Sequence, residues 1–256
     1  MTSGPTGLVP AAGRGVRFGE SGYFKELFPL LLTRDGSIGA RPIVDVALSA
    51  VARAGAHRCI VVVSPQKADV LRVVGGGPSA AMSMGYVIQS EPLGLPHAVR
   101  CARPWLEGSG VVFAMPDVII LPSDALARVE HERTRTGADL VLGVFPVDEP
   151  ERLGPVEVDA DGTVLSILDK PATTTLRNSW GVASWSPAFT EFCCAWDERA
   201  DPARERVLGH VFEAARTSGM SVRAVEFGNG RMLDIGTPHG LASALRTLGD
   251  LSLLES

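Results

Sequence analysis

Apolar runs with the length of a strand alternate with helical patterns through the first 150 residues of the chain. Strands are predicted at 8–12, 59–63, 84–89, 111–115 and 139–147. Apolar residues spaced three or four positions apart predict helices between these runs, among them 41–54 and 123–136. Repeated strand–helix–strand units indicate an α/β fold with a doubly wound, mostly parallel sheet and helices on both faces.

The pattern changes after Pro150. Residues 155–169 predict a β-hairpin that turns at Asp161-Gly162. Later elements follow in the order of helices at 187–196 and 207–218, strands at 222–227 and 232–236, and a last helix from Thr237-Pro238. No repeat, low-complexity tract or long linker separates the two parts. We therefore predict one domain, 1–256, with a first half at 7–150 and a smaller α+β half at 151–248 folded onto it.

Charge and composition narrow the possible partners. The 256 residues include 24 lysines and arginines against 29 acidic residues, a formal charge of −5, so no nucleic-acid partner is expected. The most apolar stretch, 27–32, is far shorter than the roughly 20 residues that span a bilayer, so no membrane partner is expected. Four cysteines without C-x-x-C spacing are expected to be free thiols. Together with an N-terminus that lacks a signal-peptide pattern, they favour a cytoplasmic location.

The glycine-rich segment after the first predicted strand suits a polyphosphate. A dinucleotide fingerprint would need a third glycine where Phe18 stands, and no Gly-Lys-Ser/Thr of a Walker A loop occurs. A loop of backbone N–H groups remains, with Arg14 and Arg17 on it and Lys25 further along the chain. Such donors match phosphate oxygens, although a surface turn with solvated arginines has the same sequence.

Two aspartates are candidate Mg²⁺ ligands. Ligands of open parallel sheets bind outside the carboxyl ends of the strands. Asp117 is expected to end the strand that begins at 111, and Asp234 is expected to end a late strand. Magnesium takes one or two carboxylates together with substrate phosphates and water, so a shared location favours a metal site over two unrelated turn residues. The five histidines form no H-x₃-H or H-E-x-x-H pair, which disfavours a zinc site.

The candidate phosphate-binding and metal-binding residues belong to seven short segments along the chain. They are LVPAAGRGVR at 8–17, KELFPL at 25–30, Gln89 with PLGL at 92–95, MPD at 115–117, GPVE at 154–157, DKP at 169–171 and DIGTP at 234–238. Together they resemble the motifs of the sugar-1-phosphate nucleotidylyltransferases, the family of glucose-1-phosphate thymidylyltransferase and UTP–glucose-1-phosphate uridylyltransferase. The chain departs from the usual motifs at Ala12, Val16, Pro116 and Asp169, and at the pair Pro96-His97.

The resemblance implies a Rossmann-like nucleotide-diphospho-sugar transferase fold with a C-terminal sugar-binding elaboration. It makes 7–150 the nucleotide-binding half and 151–248 the acceptor-binding half. The implied reaction couples a nucleoside triphosphate, with dTTP or UTP favoured, to a sugar 1-phosphate with release of pyrophosphate. Mg²⁺ is the implied cofactor, and a homo-oligomer is left open.

Site residues follow from the resemblance position by position. The implied catalytic residues are Arg17, Lys25, Asp117 and Lys170, and the implied metal ligands are Asp117 and Asp234. The nucleotide is expected at Ala11, Ala12, Gly13, Arg14, Gly15, Gln89, Pro92 and Gly94, with Gln89 presenting an acceptor and a donor to a pyrimidine. The acceptor is expected at Gly154, Asp169, Lys170 and Trp180, although an aromatic residue at 180 fits a core position equally well.

Three alternatives stay open. The same chemistry fits a cytidylyl- or guanylyltransferase that acts on another phosphorylated or phosphonate acceptor. The substituted motifs also fit a nucleotide-sugar-binding homologue without turnover. An NAD-dependent oxidoreductase is disfavoured by the missing third glycine at Phe18.

Overall fold

A computed structural model describes residues 4–13, 24–34, 37–77, 81–201 and 206–250 of the chain. These residues form the strands β1 Thr6–Pro10, β2 Pro29–Arg34, β3 Ser37–Pro42, β4 Arg58–Val63, β5 Ser83–Ile88, β6 Val111–Ala114, β7 Val118–Leu121, β8 Leu140–Pro146, β9 Val156–Val158, β10 Val164–Ile167, β11 Asn178–Trp185, β12 Val222–Glu226 and β13 Arg231–Asp234. The α-helices are α1 Val44–Arg53, α2 Ala68–Val74, α3 Leu95–Leu106, α4 Ala125–Thr136, α5 Pro187–Arg199, α6 Leu208–Thr217 and α7 Pro238–Asp250.

Seven strands build the central sheet, in the order β12-β8-β11-β6-β1-β4-β5. Neighbouring strands run parallel except at β11, which lies antiparallel between β6 and β8. The predicted mostly parallel α/β sheet is therefore confirmed. Strand β11 was not predicted, because Ser179, Gly181 and Ser184 interrupt its apolar pattern even though all three are buried.

Side chains of the central strands alternate between two cores. Leu8 and Phe113 contribute to a core on the face covered by α3, α5 and α6. Val9 and Val112, their neighbours in sequence, belong to the core under α1, α2 and α4. This alternation is the two-residue period of a strand, and it explains why sheets covered on both faces need continuously apolar strands.

The second part of the chain adds a hairpin and an edge strand. Strands β9 and β10 pair antiparallel, with Gly162 at φ +82° in their turn, as the Asp161-Gly162 pair predicted. Strand β12 joins the central sheet parallel to β8. No helix in the described part of the chain has the length and apolar character that crossing a bilayer requires.

The predicted strand at 232–236 corresponds to β13, but it lies outside the central sheet. It pairs antiparallel with β7, and Asp234 stands opposite Val118. Asp117 is also not the last residue of β6, since the chain leaves that strand after Ala114 and begins β7 at Val118. The expectation that Asp117 ends its strand is therefore corrected, whereas Asp234 ends β13 as expected. The two aspartates are brought together by the antiparallel pairing of β7 with β13 rather than by a shared edge of the central sheet.

Candidate active site

The glycine-rich segment begins where β1 ends. The N–H of Ala11 donates to the carbonyl of Val62 at 2.7 Å, which continues the strand pairing by one residue. Ala11 and Ala12 are buried, and Gly13 is exposed. The other predicted residues of this loop, Arg14, Gly15 and Arg17, lie outside the described residues, so their roles stay predictions.

Three side chains named from the sequence meet at one point. The ammonium of Lys25, in a short 3-10 helix at Lys25–Leu27, forms an ion pair with the Asp117 carboxylate. The N–H of Gly236 donates to Asp234 Oδ1 at 2.7 Å. A Cβ placed on Gly236 would lie 2.8 Å from Asp117 Oδ2, 2.9 Å from Asp234 Oδ1 and 3.5 Å from Lys25 Nζ. The three charged groups therefore surround the bare α-carbon of Gly236.

Backbone pairing fixes this arrangement. The N–H of Ile235 donates to the backbone carbonyl of Asp117 at 3.0 Å, so the β7–β13 ribbon holds the two aspartates in register. Ile235 itself is fully buried in a small core with Ile43, Ile119 and Leu241. The charged groups thus rest on a packed apolar layer that limits how far they can move.

The electrostatics of the group favour a further cation. Burial works against the charge on Lys25, but Asp117, Glu26 and Asp234 outweigh it and raise the pKa of Lys25. One ammonium faces two carboxylates, which leaves a net negative charge. Among the described residues no group of three or more His, Cys, Asp or Glu side chains is placed to hold a metal ion alone. Two carboxylates nevertheless fit Mg²⁺, which completes its shell with substrate phosphates and water.

A cleft of about 270 Å³ opens beside the glycine-rich segment. Ala12, Gly13 and Pro92, all predicted to bind the nucleotide, line it together with five residues that the sequence did not single out, namely Phe24, Ser64, Gln66, Lys67 and Ser90. Ser64 directly follows β4, so the rule that ligands bind outside the carboxyl ends of parallel strands could have identified it.

Gln89 follows β5 and is buried, with its amide group engaged inside the protein. Its Nε2 donates to the carbonyl of Gly94 at 3.0 Å and lies 2.9 Å from His97 Nδ1. Because a carbonyl can only accept, the Gly94 contact fixes which way the amide points. Both N–H groups are then used, and the amide oxygen is the atom left to read a base. The expectation that Gln89 presents both an acceptor and a donor to the base is thereby narrowed to the acceptor.

Position 94 requires glycine for two reasons. Its φ of +102° is strained for any other residue, and a Cβ would collide with the backbone carbonyl of Arg206. The Arg206 guanidinium in turn donates to Asp197 Oδ1 at 2.9 Å, and that aspartate is completely buried. The segment before α6 is therefore anchored against the loop expected to meet the base.

The residues expected to bind the acceptor differ in how deeply they are buried. Trp180 is 8% exposed and packs edge-on against Phe212, so its ring lies in the core, while its Nε1 edge touches Gly154. Asp169 is half-buried, with its carboxylate 3.6 Å from His210. If Trp180 contacts the acceptor, it can do so only through the Nε1 edge of its ring, which lies next to Gly154.

Lys170 has an unusual backbone. It is exposed, and its φ of +42° makes it the one residue other than glycine with a positive φ in the described chain. Its N–H donates to the carbonyl of Leu153 at 2.9 Å, which ties it to the turn that contains Gly154. Such a conformation costs on the order of 1–3 kcal/mol and is common at functional sites.

The chain is similar to known nucleotidyltransferases in sequence and in fold. The family model described as nucleotidyl transferase matches residues 27–250. A glucose-1-phosphate thymidylyltransferase of Streptomyces antibioticus is 32% identical over 136 residues, which are 53% of this chain and 38% of that protein. The chain spans about half the length of the curated relatives that it matches.

Two solved structures show the same fold at low sequence identity. A UDP-glucose pyrophosphorylase of Acinetobacter baumannii superposes with a TM-score of 0.79 at 19% identity, covering 98% of this chain and 95% of that one. The inositol-1-phosphate CTP transferase of T. maritima gives a TM-score of 0.72 at 20% identity, covering 98% of both chains. With the family model matched along most of its length, this chain belongs to the nucleotidyl transferase family.

Proposed function

We propose that this protein transfers a nucleotidyl group from a nucleoside triphosphate to a sugar 1-phosphate. The observation that carries the proposal is the meeting of Lys25, Asp117 and Asp234 around Gly236. Family membership and the thymidylyltransferase relative support the same reaction class.

The reaction needs positioning and charge neutralisation more than covalent work by the protein. A phosphate oxygen of the acceptor attacks the α-phosphorus of the triphosphate, and the bond from that phosphorus to the β-phosphate bridging oxygen breaks. Pyrophosphate leaves with the electron pair of that bond, and the new P–O–P phosphoanhydride bond completes the nucleotide sugar.

Lys25 supplies fixed positive charge beside the transferring phosphate. Its raised pKa keeps the ammonium charged at neutral pH, and Asp117 limits its movement. Asp117 and Asp234 would hold Mg²⁺. That ion, when bound, neutralises charge that develops on the phosphate oxygens. Arg17 and the loop N–H groups are assigned to the leaving pyrophosphate by resemblance.

We assign the base preference to dTTP or UTP. Thymine and uracil carry an N3–H donor, and the Gln89 amide oxygen is an acceptor held in place by Gly94 and His97. On the acceptor side, Lys170 meets the sugar phosphate and Asp169 a sugar hydroxyl. The strained backbone of Lys170 supports a role for its ammonium, because a purely structural turn would be more stable with glycine.

The test is pyrophosphate release with a panel of triphosphates and sugar 1-phosphates. We expect release only when both substrates are present, with dTTP or UTP preferred, and loss of release in excess EDTA. Release without an acceptor would indicate hydrolysis, and undiminished release in EDTA would exclude the metal role of the two aspartates.

A second candidate changes the base and the acceptor. The Gln89 oxygen also accepts from the exocyclic amine of cytosine, since its donors are already used by Gly94 and His97. A cytidylyltransferase acting on an alditol or inositol phosphate would then share the same catalytic group. The same panel decides between them when CTP and these acceptors are included.

A further inference from the structure

A second lysine–carboxylate pair lies next to the glycine-rich segment. Lys67 Nζ donates to Glu26 Oε1 at 2.7 Å and to the backbone carbonyl of Ala11 at 2.8 Å. Only 2% of the Lys67 side chain and 1% of the Glu26 side chain are exposed. Removing each charge from water is costly, and the ion pair together with the Ala11 carbonyl offsets part of that cost.

Lys67 has one donor left for an occupant of the cleft. An ammonium carries three N–H groups, and Glu26 and Ala11 use two of them. In the part of the chain that the structure describes, the third meets no oxygen or nitrogen acceptor, and the Phe24 ring lies 5.7 Å from Nζ. Lys67 and Phe24 are both among the residues that line the cleft, where a ligand would supply that acceptor.

The net charge of the Lys67–Glu26 pair indicates which kind of ligand atom would accept the third hydrogen bond from Lys67. Burial lowers the pKa of Lys67, and the adjacent Glu26 carboxylate counteracts this effect. The Lys67–Glu26 pair has no net charge, so it offers little attraction to a phosphate. A neutral oxygen such as a carbonyl satisfies the remaining N–H without adding a second negative charge beside Glu26. An occupant without such an oxygen leaves a buried donor unpaired, which is unfavourable.

We propose that Lys67 donates a hydrogen bond to a carbonyl oxygen of the nucleobase and thereby favours carbonyl-bearing bases over adenine. Uracil, thymine, cytosine and guanine carry such an oxygen, and adenine carries none. The inference rests on the proposed function, because it takes the cleft at Gly13 and Pro92 as the base site of a nucleotidyltransferase. It is separate from the proposed role of Gln89, whose amide oxygen accepts from donor groups of the base.

The test compares the wild-type protein with two variants. Lys67→Arg keeps the ion pair and a donor, whereas the double variant Glu26→Gln/Lys67→Met removes the donor without leaving either charge unpaired in the interior. Pyrophosphate release is measured with UTP, dTTP, CTP, GTP and ATP at saturating acceptor. Binding of UMP and AMP to the same proteins is measured by calorimetry.

We expect the double variant to lose about tenfold of the preference for carbonyl-bearing bases over ATP, relative to wild type. The loss should fall on KM for the triphosphate and on the Kd of UMP, while KM for the sugar phosphate and the Kd of AMP stay unchanged. Lys67→Arg keeps both the ion pair and a donor, so it should retain the preference. A loss of the preference in Lys67→Arg would contradict the proposal even if the double variant does not fold.

Two further results would overturn the inference. One is an unchanged base preference in the double variant, and the other is an equal loss with all five triphosphates, which would indicate a phosphate contact or a structural role. A wild-type protein that turns over no triphosphate would instead refute the proposed function. The UMP and AMP affinities would still decide whether Lys67 reads a base.

Discussion

Gly236→Ala is the most direct test of the charged group. A Cβ at this position would lie 2.8 Å from Asp117 Oδ2 and 2.9 Å from Asp234 Oδ1, where ordinary contact begins at 3.4 Å. Each carboxylate must therefore move by about half an ångström. A misplacement of 1 Å at a catalytic site costs about a hundredfold in rate, so we expect kcat to fall roughly tenfold to a hundredfold.

The fold should tolerate this change. Gly236 does not have a positive φ, so alanine is compatible with its backbone. Replacing glycine at a compatible position stabilises a protein by roughly 0.4–1 kcal/mol, which offsets part of the strain from the displaced carboxylates. We expect the melting temperature to change by only a few degrees.

The assay is steady-state pyrophosphate release, with the Mg²⁺ dependence measured for each variant. Gly228→Ala is the matched control, because its Cβ would have no atom within 4 Å and its φ is likewise not positive. This control should behave as wild type in both rate and melting temperature. A Gly236→Ala protein with unchanged kcat and unchanged Mg²⁺ dependence would refute the assignment of the two aspartates to the catalytic centre.

Three further predictions concern single side chains. Asp117→Asn should lower kcat at least about a hundredfold with little change in melting temperature, because it removes a charge at a part-buried site but keeps the size of the side chain. A variant that simply unfolds would contradict this expectation. Lys170→Gly relieves the strained φ of +42°, so the melting temperature should stay equal or rise while KM for the sugar phosphate increases; unaltered kinetics would exclude Lys170 from the acceptor site. Burial lowers the pKa of His97 from 6.5, and Arg100 and Arg206 lower it further, whereas Asp197 raises it. The contribution of His97 to stability is therefore present above pH 6.5 and is lost as the pH falls through its folded pKa. Protonated Nδ1 cannot accept from Gln89, so KM for the triphosphate should rise in the same range, whereas His97→Asn should keep an acceptor at that position and show a flatter pH profile.

The fold was predictable where sequence periodicity reports burial. Continuous apolar runs marked β4 and β6, which helices cover on both faces, and an Asp-Gly pair marked the turn between β9 and β10. Strand β11 gave no such signal, since the buried Ser184 satisfies its hydroxyl by donating to the Val111 carbonyl, a partner 73 positions away. Long-range pairing of this kind leaves no trace in the local pattern.

Motif matches predicted which residues form the candidate site but not how the fold brings them together. Lys25, Asp117 and Asp234 were all identified in this way, but the reason for their meeting was not, because the β7–β13 pairing joins strands more than one hundred residues apart. The contact of Gln89 with His97 spans eight residues and lies within one loop and the first turn of α3. It was missed because a histidine at the start of a helix has many possible partners.

Glu26 connects the two parts of the site that sequence reasoning treated separately. It is adjacent to Lys25 in one short helix, and the two side chains contact different partners, Lys67 beside the cleft and Asp117 at the charged group. Lys25 is therefore held from two sides, by its own ion pair and by the burial of its neighbour. Because 3-10 helices of three residues have little stability of their own, the buried Glu26–Lys67 pair contributes to holding Lys25–Leu27 in place, together with the packing of Leu27 against the core under α1, α2 and α4. In the proposed base site, a base that engages Lys67 would therefore contact the partner of Glu26, the residue next to Lys25.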